Sequence, residues 1–374
     1  MHKIPFLKPN LVKKEAYLEY LSQIDETRVY SNYGPLNGLF EHRVLTEYFR
    51  GEGALTTVNN ATIGLMLAIS HTKRPKGRYA LMPSFTFPAT PLAAMWCGLE
   101  PYFIDIRDDD WCMNESILTE TLDRLGDQAA CVVTYATFGS CLSLSRYETL
   151  HRSGTPVVID AASSFGASSE GGYFGRGFPG PVVYSFHATK TFGIGEGGLV
   201  YSADHDLIRR LRQAGNFGFS SDRESVIQGL NSKLSEYAAA VALATLDAFT
   251  EKMKTRQKIS RWYIEIMNQK GLFHANWAGQ KTQGMVPRQV NSFLCPPDRT
   301  NRDLIHLLQE NGIEARTYFS PACHQQHTFA SFRHSGLDTT ETISSRVINL
   351  PTWEEMRKED VRAVVDALAE GTEK

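Results

Sequence analysis

From Ala54 to Ser202 the sequence alternates short β-rich runs with stretches of helical pattern, and few folds accept that order. ALTTV (Ala54 to Val58) reads as a strand, and a helix opens near Ala61. YALM is followed by the helical PATPLAAMWCG, and PYFIDI by a helix over residues 114–125. CVVTYATF leads to a helix near 144–151 and then to the strand PVVID. GGLVYS is one more strand, with a helix near 204–213 behind it. Strands separated by helices predict an α/β fold, a mostly parallel mixed sheet with helices on both faces.

At 374 residues the chain exceeds the size at which one hydrophobic core keeps growing. The expected division is a large domain over 1–250, carrying an N-terminal arm, and a smaller α+β domain over 251–374. Residues 233–269 have a nearly unbroken helical pattern, long enough for one or two helices running between the domains. Beyond them RQVNSFLC and IEARTY read as strands, with helices near 302–309 and 359–369.

The formal charge of −2 gives no electrostatic reason to expect nucleic acid as a partner. No apolar run approaches the roughly 20 residues that span a bilayer, and MHKIPFLKPN lacks a secretory h-region. A cytoplasmic protein with no membrane partner is the expectation. None of the six cysteines forms a CxxC pair, and most lie in apolar stretches as small hydrophobes. Cys323, His324 and His327 have metal-like spacing but no second ligand pair, so no metal is expected.

The chemistry concentrates in SFHATKTFGIGEGGLVYS (Ser185 to Ser202), which carries Lys190, and in VVIDAASSFGA, which carries Asp160. A lysine amine can condense with an aldehyde cofactor, and a carboxylate against the far side of the ring can hold a pyridine nitrogen protonated. Pyridoxal phosphate chemistry requires both. A solvated surface lysine is the ordinary alternative, but Ser, His, Thr, Phe and a glycine cluster are poor material for an exposed helix face. Asp160 ends a strand and so faces the crevice where α/β folds bind ligands; alternatively it caps the next turn. The helix opening at Ala61 and Thr62 offers free backbone N–H groups to a phosphate. Gly193, Gly195 and Gly198 satisfy GxGxxG, but a β-rich run follows them where a dinucleotide fingerprint needs a helix. Close packing against the lysine turn is the better reading of these glycines.

The chain resembles the DegT–StrS group of sugar aminotransferases, of pyridoxal-phosphate fold type I. The likeness runs through SNYGPLNGLFEHRVLTEYF, VNNATIGLMLAI, MPSFTFPATPLAAMWCGLEPYFIDI, VVIDAASSFGA, SFHATKTFGIGEGG, GLNSKLSEYAAAVALATLD and NGIEARTYFSP to the C-terminal NLPTWEEMRKEDVRAVVDAL. The resemblance implies pyridoxal 5′-phosphate (PLP) as cofactor, alternating with pyridoxamine 5′-phosphate, and Lys190 as its Schiff-base partner. It implies L-glutamate as amino donor and a nucleotide-linked keto sugar as acceptor, the wording being nearest to enzymes of dTDP-4-keto-6-deoxyhexoses. It gives the cofactor phosphate to Ala61, Thr62 and Ser185, and the open ring face to Phe87, with Phe85 left to the core. It places Asn231 across a homodimer interface on the neighbour's phosphate; a helix N-cap is the local alternative. Tyr33, Lys233 and Tyr318 are the implied substrate contacts.

Two positions depart from the family pattern. Ser163 stands where His or Gln usually meets the phenolic oxygen of the cofactor, and Lys233 where an arginine is common, without the bidentate fork. Two other readings share the fold. A sugar dehydratase of this family typically carries histidine in place of the lysine, and a non-enzymatic regulatory relative should have lost Lys190 or Asp160; both residues are present.

Overall fold

The computed structural model describes residues 3–372. Its helices are α1 (Leu18–Thr27), α2 (Pro35–Phe49), α3 (Ala61–Thr72), α4 (Ala89–Trp96), α5 (Glu115–Leu125), α6 (Ser145–Arg152), α7 (His205–Ala214), α8 (Glu236–Gln269), α9 (Asn301–Glu310), α10 (Asp338–Arg346) and α11 (Lys358–Thr372). Its strands are β1 (Ala54–Val58), β2 (Tyr79–Pro83), β3 (Glu100–Ile104), β4 (Ala129–Tyr135), β5 (Val157–Asp160), the short pair β6 (Ser168–Ser169) and β7 (Gly172–Tyr173), β8 (Val182–Ser185), β9 (Gly198–Ser202), β10 (Ala278–Gly279), β11 (Asn291–Leu294) and β12 (Val347–Leu350).

Seven strands form the main sheet in the order β1-β9-β8-β5-β4-β2-β3. Only β9 runs against its neighbours, pairing antiparallel with β1 and β8, and the other pairings are parallel. The sheet is therefore the mostly parallel mixed α/β sheet expected from the alternation. Adjacent side chains on a strand point to opposite faces. Val157 and Ile159 of β5, Val182 and Tyr184 of β8, and Leu199 and Tyr201 of β9 enter one core with α2 and the first half of α8. Val158, Val183 and Val200 enter another with α3, α4 and α7. Burial on both faces explains why β5 and β8 are hydrophobic at consecutive positions, 157–159 and 182–184, rather than alternating, up to the polar residue that ends each strand.

Helix α8 is one continuous helix of 34 residues. Its side chains through Met253 belong to the sheet's core, and those from Ile259 belong to a third core with β11, β12, α9 and α11. The expected division at 250/251 falls inside this helix. The chain start does not stay with the large unit: Ile4 pairs with Gly312 and Glu314 at 2.9 Å each and is buried in the third core. IEARTY is not a strand. Ile313 makes a lone bridge to Ile4 and Arg316 another to Asn349, so its backbone groups are satisfied by two separate segments instead of one ladder. The elements α1, α2, α10, β6, β7, β8, β10 and β12 had no counterpart in the sequence reading. Among them α2 carries a legible stripe, since Leu36, Phe40, Val44 and Tyr48 recur every four residues and all are buried.

The start of α2 is held from a distance. Its N-cap, Gly34, has no side chain to offer, and the Glu236 carboxylate instead accepts the N–H groups of Leu36 at 2.7 Å and Asn37 at 3.0 Å. Glu236 is 1% exposed, so this contact fastens the first turn of α8 to the first turn of α2 in a dry setting. Glu236→Ala should strand both donors and cost about 2–4 kcal/mol, at the rate of hydrogen bonds to a charged group. The measurement is the chemical-denaturation midpoint of the large unit; a midpoint equal to wild type would show that the carboxylate does not secure α2.

Candidate active site

Lys190 sits in the turn between β8 and β9. Its N–H donates to the His187 carbonyl at 2.8 Å, and Ala188 N–H closes onto Gly195 at 2.7 Å. A Cβ at Gly193 would lie 2.6 Å from the Ala188 carbonyl oxygen and 3.1 Å from that of Lys190. A side chain there would open the turn, so close packing accounts for Gly193, while Gly195 takes a φ of 105° that favours glycine. Strand β9 begins at Gly198, so no helix follows the GxGxxG spacing and the dinucleotide reading fails on structure as well.

The Lys190 amine donates to Ser163 Oγ at 2.9 Å and to Gln289 Oε1 at 3.2 Å. Ser163 Oγ in turn donates to Gln289 Oε1 at 3.1 Å. Lys190 is half-buried as a residue, with its amine seated among these groups. Desolvation lowers the amine to about 8, and the nearby Asp160 charge opposes that fall.

Asp160 ends β5 and is 3% exposed. Thr90 Oγ1 donates to its Oδ2 at 2.6 Å and Ala162 N–H to its Oδ1 at 3.1 Å. One oxygen thus does brace the following turn, as the capping alternative anticipated. Among the described residues no arginine or lysine nitrogen reaches salt-bridge distance of it. Burial accordingly raises its pKa, against the two hydrogen bonds and the Lys190 charge. Tyr135, at the end of β4, is raised by burial first and by Asp160 second.

Ser185 ends β8 and pairs with Gly198, whose would-be Cβ lies 3.1 Å from the Ala61 amide nitrogen and 2.9 Å from the Tyr184 carbonyl oxygen. Glycine at 198 therefore leaves room where Ser185 meets the start of α3. Asn60 caps that helix by accepting Ile63 N–H at 2.9 Å. The N–H groups of Ala61 and Thr62 precede any carbonyl one turn back and point outward. Phe87 is 57% exposed while Phe85 is 0% exposed, so only the second is a core ring.

These residues fit PLP. A buried carboxylate without a cation suits a ring N–H, a desolvated amine suits an aldehyde, and a glycine-cleared helix N-terminus beside Ser185 suits a phosphate. Ala61, Thr62, Ser185, Asp160, Ser163, Lys190 and Phe87 can all serve such a group.

The remaining expected residues lie elsewhere. Asn231 is exposed and pairs through its backbone with Asn216. It is not a helix cap: α8 starts at Glu236, and Ser235 caps it by accepting Ala238 N–H at 3.2 Å. Lys233 lines a depression with Asn32, Asn216, Phe217, Phe219 and Arg223, its amine 4.6 Å from the Phe217 ring centre. Tyr33 is engaged within the chain, its ring 3.8 Å under the Arg212 guanidinium and its hydroxyl donating to the Arg212 carbonyl at 3.2 Å. Tyr318 rests edge-on against Phe6. His324 turns one ring nitrogen to Ser84 Oγ at 2.7 Å and the other to Glu341 at 3.1 Å, while the Cys323 thiol donates to the Thr86 carbonyl. Two members of the cluster were missed by sequence reasoning, Thr90 and Gln289. Gln289 stands 99 positions from Lys190, and no local pattern marks it.

The DegT/DnrJ/EryC1/StrS aminotransferase family profile matches residues 12–369. A solved Bacillus cereus ATCC 10987 structure, provisionally described as a PLP-dependent aminotransferase, is 49% identical over 98% of this chain and 100% of its own, with a TM-score of 0.97. The structure of DesI in the presence of its TDP-sugar product is 29% identical over 100% of this chain and 93% of its own, with a TM-score of 0.89. The dTDP-4-amino-4,6-dideoxy-D-glucose transaminase of Escherichia coli is 25% identical over 98% of both chains.

The lowered amine has a direct consequence. Only a neutral amine is nucleophilic, so competitive acylation of the cofactor-free protein, read peptide by peptide, should give Lys190 a midpoint of about 8. The reference value for a solvated lysine amine is about 10.4. A Lys190 midpoint among those of the exposed lysines would show that its amine is not desolvated.

Proposed function

Because the chain belongs to the DegT/DnrJ/EryC1/StrS aminotransferase family, we propose that it moves the amino group of L-glutamate to a keto sugar carried on a nucleoside diphosphate. The acceptor in this reading is a dTDP-4-keto-6-deoxyhexose. The product is an amino sugar for a polysaccharide such as O-antigen, or for another glycoconjugate. The family makes the enzyme a PLP-dependent aminotransferase. The observation that carries the reading is the desolvated Lys190 amine close enough to the cation-free Asp160 carboxylate to feel its charge, with Ser185 and the start of α3 beside them. The relatives whose names include thymidine-diphosphate sugars support the choice of carrier.

Bound PLP supplies an aldehyde that exchanges amines and a ring that takes up an electron pair. Lys190 serves first as the nucleophile that holds the group. Once displaced by the donor, its amine would be free to take a proton from the donor α-carbon and pass it on, as general base and then acid. Asp160 would keep the ring nitrogen protonated, and the same proton would give the buried carboxylate the positive partner it otherwise lacks. Thr90 and the Ala162 N–H hold both carboxylate oxygens in place. Ser185 and the first N–H groups of α3 bind the phosphate, and Phe87 covers the open ring face. An intact lysine favours transamination over dehydration, and the intact pair disfavours a purely regulatory relative.

The enzyme in this reading is a cytoplasmic homodimer with shared sites. The exposed Asn231, on no helix end, supports that arrangement, as does the depression lined by Lys233 close to it in sequence. Tyr33, Lys233 and Tyr318 remain the proposed sugar-nucleotide contacts.

Borohydride treatment of the holoenzyme should fix the cofactor to the peptide containing Lys190, and label on another lysine would overturn the assignment. Incubation with glutamate and a panel of nucleotide keto sugars should give an amino sugar most rapidly from the dTDP-4-keto-6-deoxyhexose. Turnover confined to 3-keto sugars or to other carriers would overturn the acceptor. In mixed dimers of Lys190→Ala with Asn231→Asp chains, one site collects both defects and the other neither. Activity should recover to roughly half of wild type, because one of the two symmetric sites is then intact. Verified mixed dimers without recovery, from parents that are both impaired, would assign Asn231 to its own chain.

A further inference from the structure

We propose that Gln289 is a member of the reacting centre. Its amide receives the Lys190 amine while that amine is free, and donates to the phenolic oxygen of bound PLP once the amine is engaged. The inference rests on Lys190 being the cofactor lysine and holds whichever sugar is the acceptor.

The contact is built, not incidental. Gln289 Oε1 lies 3.2 Å from Lys190 Nζ and 3.1 Å from Ser163 Oγ, which is itself 2.9 Å from Nζ, so two polar groups that bond each other meet at the reacting nitrogen. Its Nε2 faces Thr189 Oγ1 at 3.4 Å. The backbone behind it is clamped on both sides. Arg256, 3% exposed and paired with Glu354 at 2.7 Å, donates to the carbonyls of Arg288 at 3.0 Å and Gln289 at 3.2 Å. From the other side Thr191 Oγ1 donates to the Pro287 carbonyl at 3.2 Å. The lysine turn and the segment leading into β11 are therefore locked together at the point where the amide reaches the amine.

The chemistry explains why an amide suits this place. An amine engaged at the aldehyde carbon gives up N–H donors, which would leave Gln289 Oε1 and Ser163 Oγ without their shared partner. The phenolic oxygen sits on the ring carbon next to the one bearing the aldehyde, within reach of groups that faced the amine. A primary amide has both an acceptor oxygen and donor N–H groups, so one side chain serves both states by rotating. Ser163 brings only a short hydroxyl to a position where the resemblance implies His or Gln. Gln289 supplies the missing amide from the C-terminal part of the chain.

The test uses holoenzyme carrying Gln289→Leu, which keeps the side chain's bulk and removes the amide. The readout is the pH titration of the visible absorbance of the Lys190–cofactor linkage. The titratable and charged groups around the amide are Lys190, Asp160, Tyr135, the neighbouring Arg288, the Arg256–Glu354 pair with Lys252 beside it, and His187, which reaches the amide through Thr189; this variant alters none of them. A phenolate that loses a donor makes the adjoining nitrogen hold its proton more tightly, so the midpoint should rise by about one pH unit, a tenfold change in proton affinity. Restoring an amide from the other side, in Ser163→Gln/Gln289→Leu, should bring the midpoint back toward wild type. Thermal unfolding of the cofactor-free proteins distinguishes a packing defect, and Gln289→Glu, whose carboxylate would repel the phenolate, should raise the midpoint if the leucine variant does not fold. An unchanged or lowered midpoint in a variant that unfolds at the wild-type temperature would overturn the proposal. Borohydride label on a lysine other than Lys190 would instead remove its premise.

Discussion

The Asp160 carboxylate, buried at the end of β5 without a cation against it, is the constraint around which the rest is arranged. Burying a carboxylate is costly unless it is hydrogen-bonded and its charge is answered. Thr90 and the Ala162 N–H meet the first need. The second is left to Lys190, which offsets only part of the penalty because its own amine is desolvated too. In the proposed reading a protonated pyridine ring would complete the balance, and the fold would favour that charge state before any substrate arrives. Thr90 belongs to α4 and Asp160 to β5, so the position of one helix against the sheet sets the geometry of the charge.

The reversed strand β9 has a similar reach. Running antiparallel to β8, it brings Gly198 against Ser185 and up to the first amide of α3. The turn between the two strands then points Lys190 toward Ser163 and Gln289. One hairpin thus supplies the lysine, the Ser185 hydroxyl and the clearance beside a helix N-terminus. Gly193 and Gly198 are packing requirements, as the 2.6 Å clash at Gly193 makes plain, while Gly195 is required by its positive φ of 105°.

The two halves of the molecule are joined through α8, whose buried side chains change core between Met253 and Ile259, and through Arg256 on the same stretch. Arg256 reaches the backbone that presents Gln289 to the lysine. The helix is therefore both the mechanical link between the cores and the anchor of a contact at the site. The N-terminal segment adds a second tie, since Ile4 pairs with residues 312 and 314.

The sequence by itself determined the layers of the fold and the ends of its central strands. Alternating β-rich and helical runs, with strands hydrophobic at consecutive positions, leave only a sheet covered on both faces. Asp160 was legible because it stands at the carboxyl end of such a run, where local order already decides which way the chain opens, and Lys190 because Ser, His, Thr, Phe and a glycine cluster around it are poor material for an exposed helix face. IEARTY misled because strand character was read from composition, while its actual pairing depends on residues 4 and 349, far away in the chain. Helix α10 went unread because the carboxylate that secures its first N–H groups, Asp105, comes from the end of β3. Tertiary structure alone decided that Thr90 meets Asp160 and that Gln289 meets Lys190. Both are contacts between side chains on separate elements, fixed by how helices and cores pack, and no spacing along the chain encodes that distance.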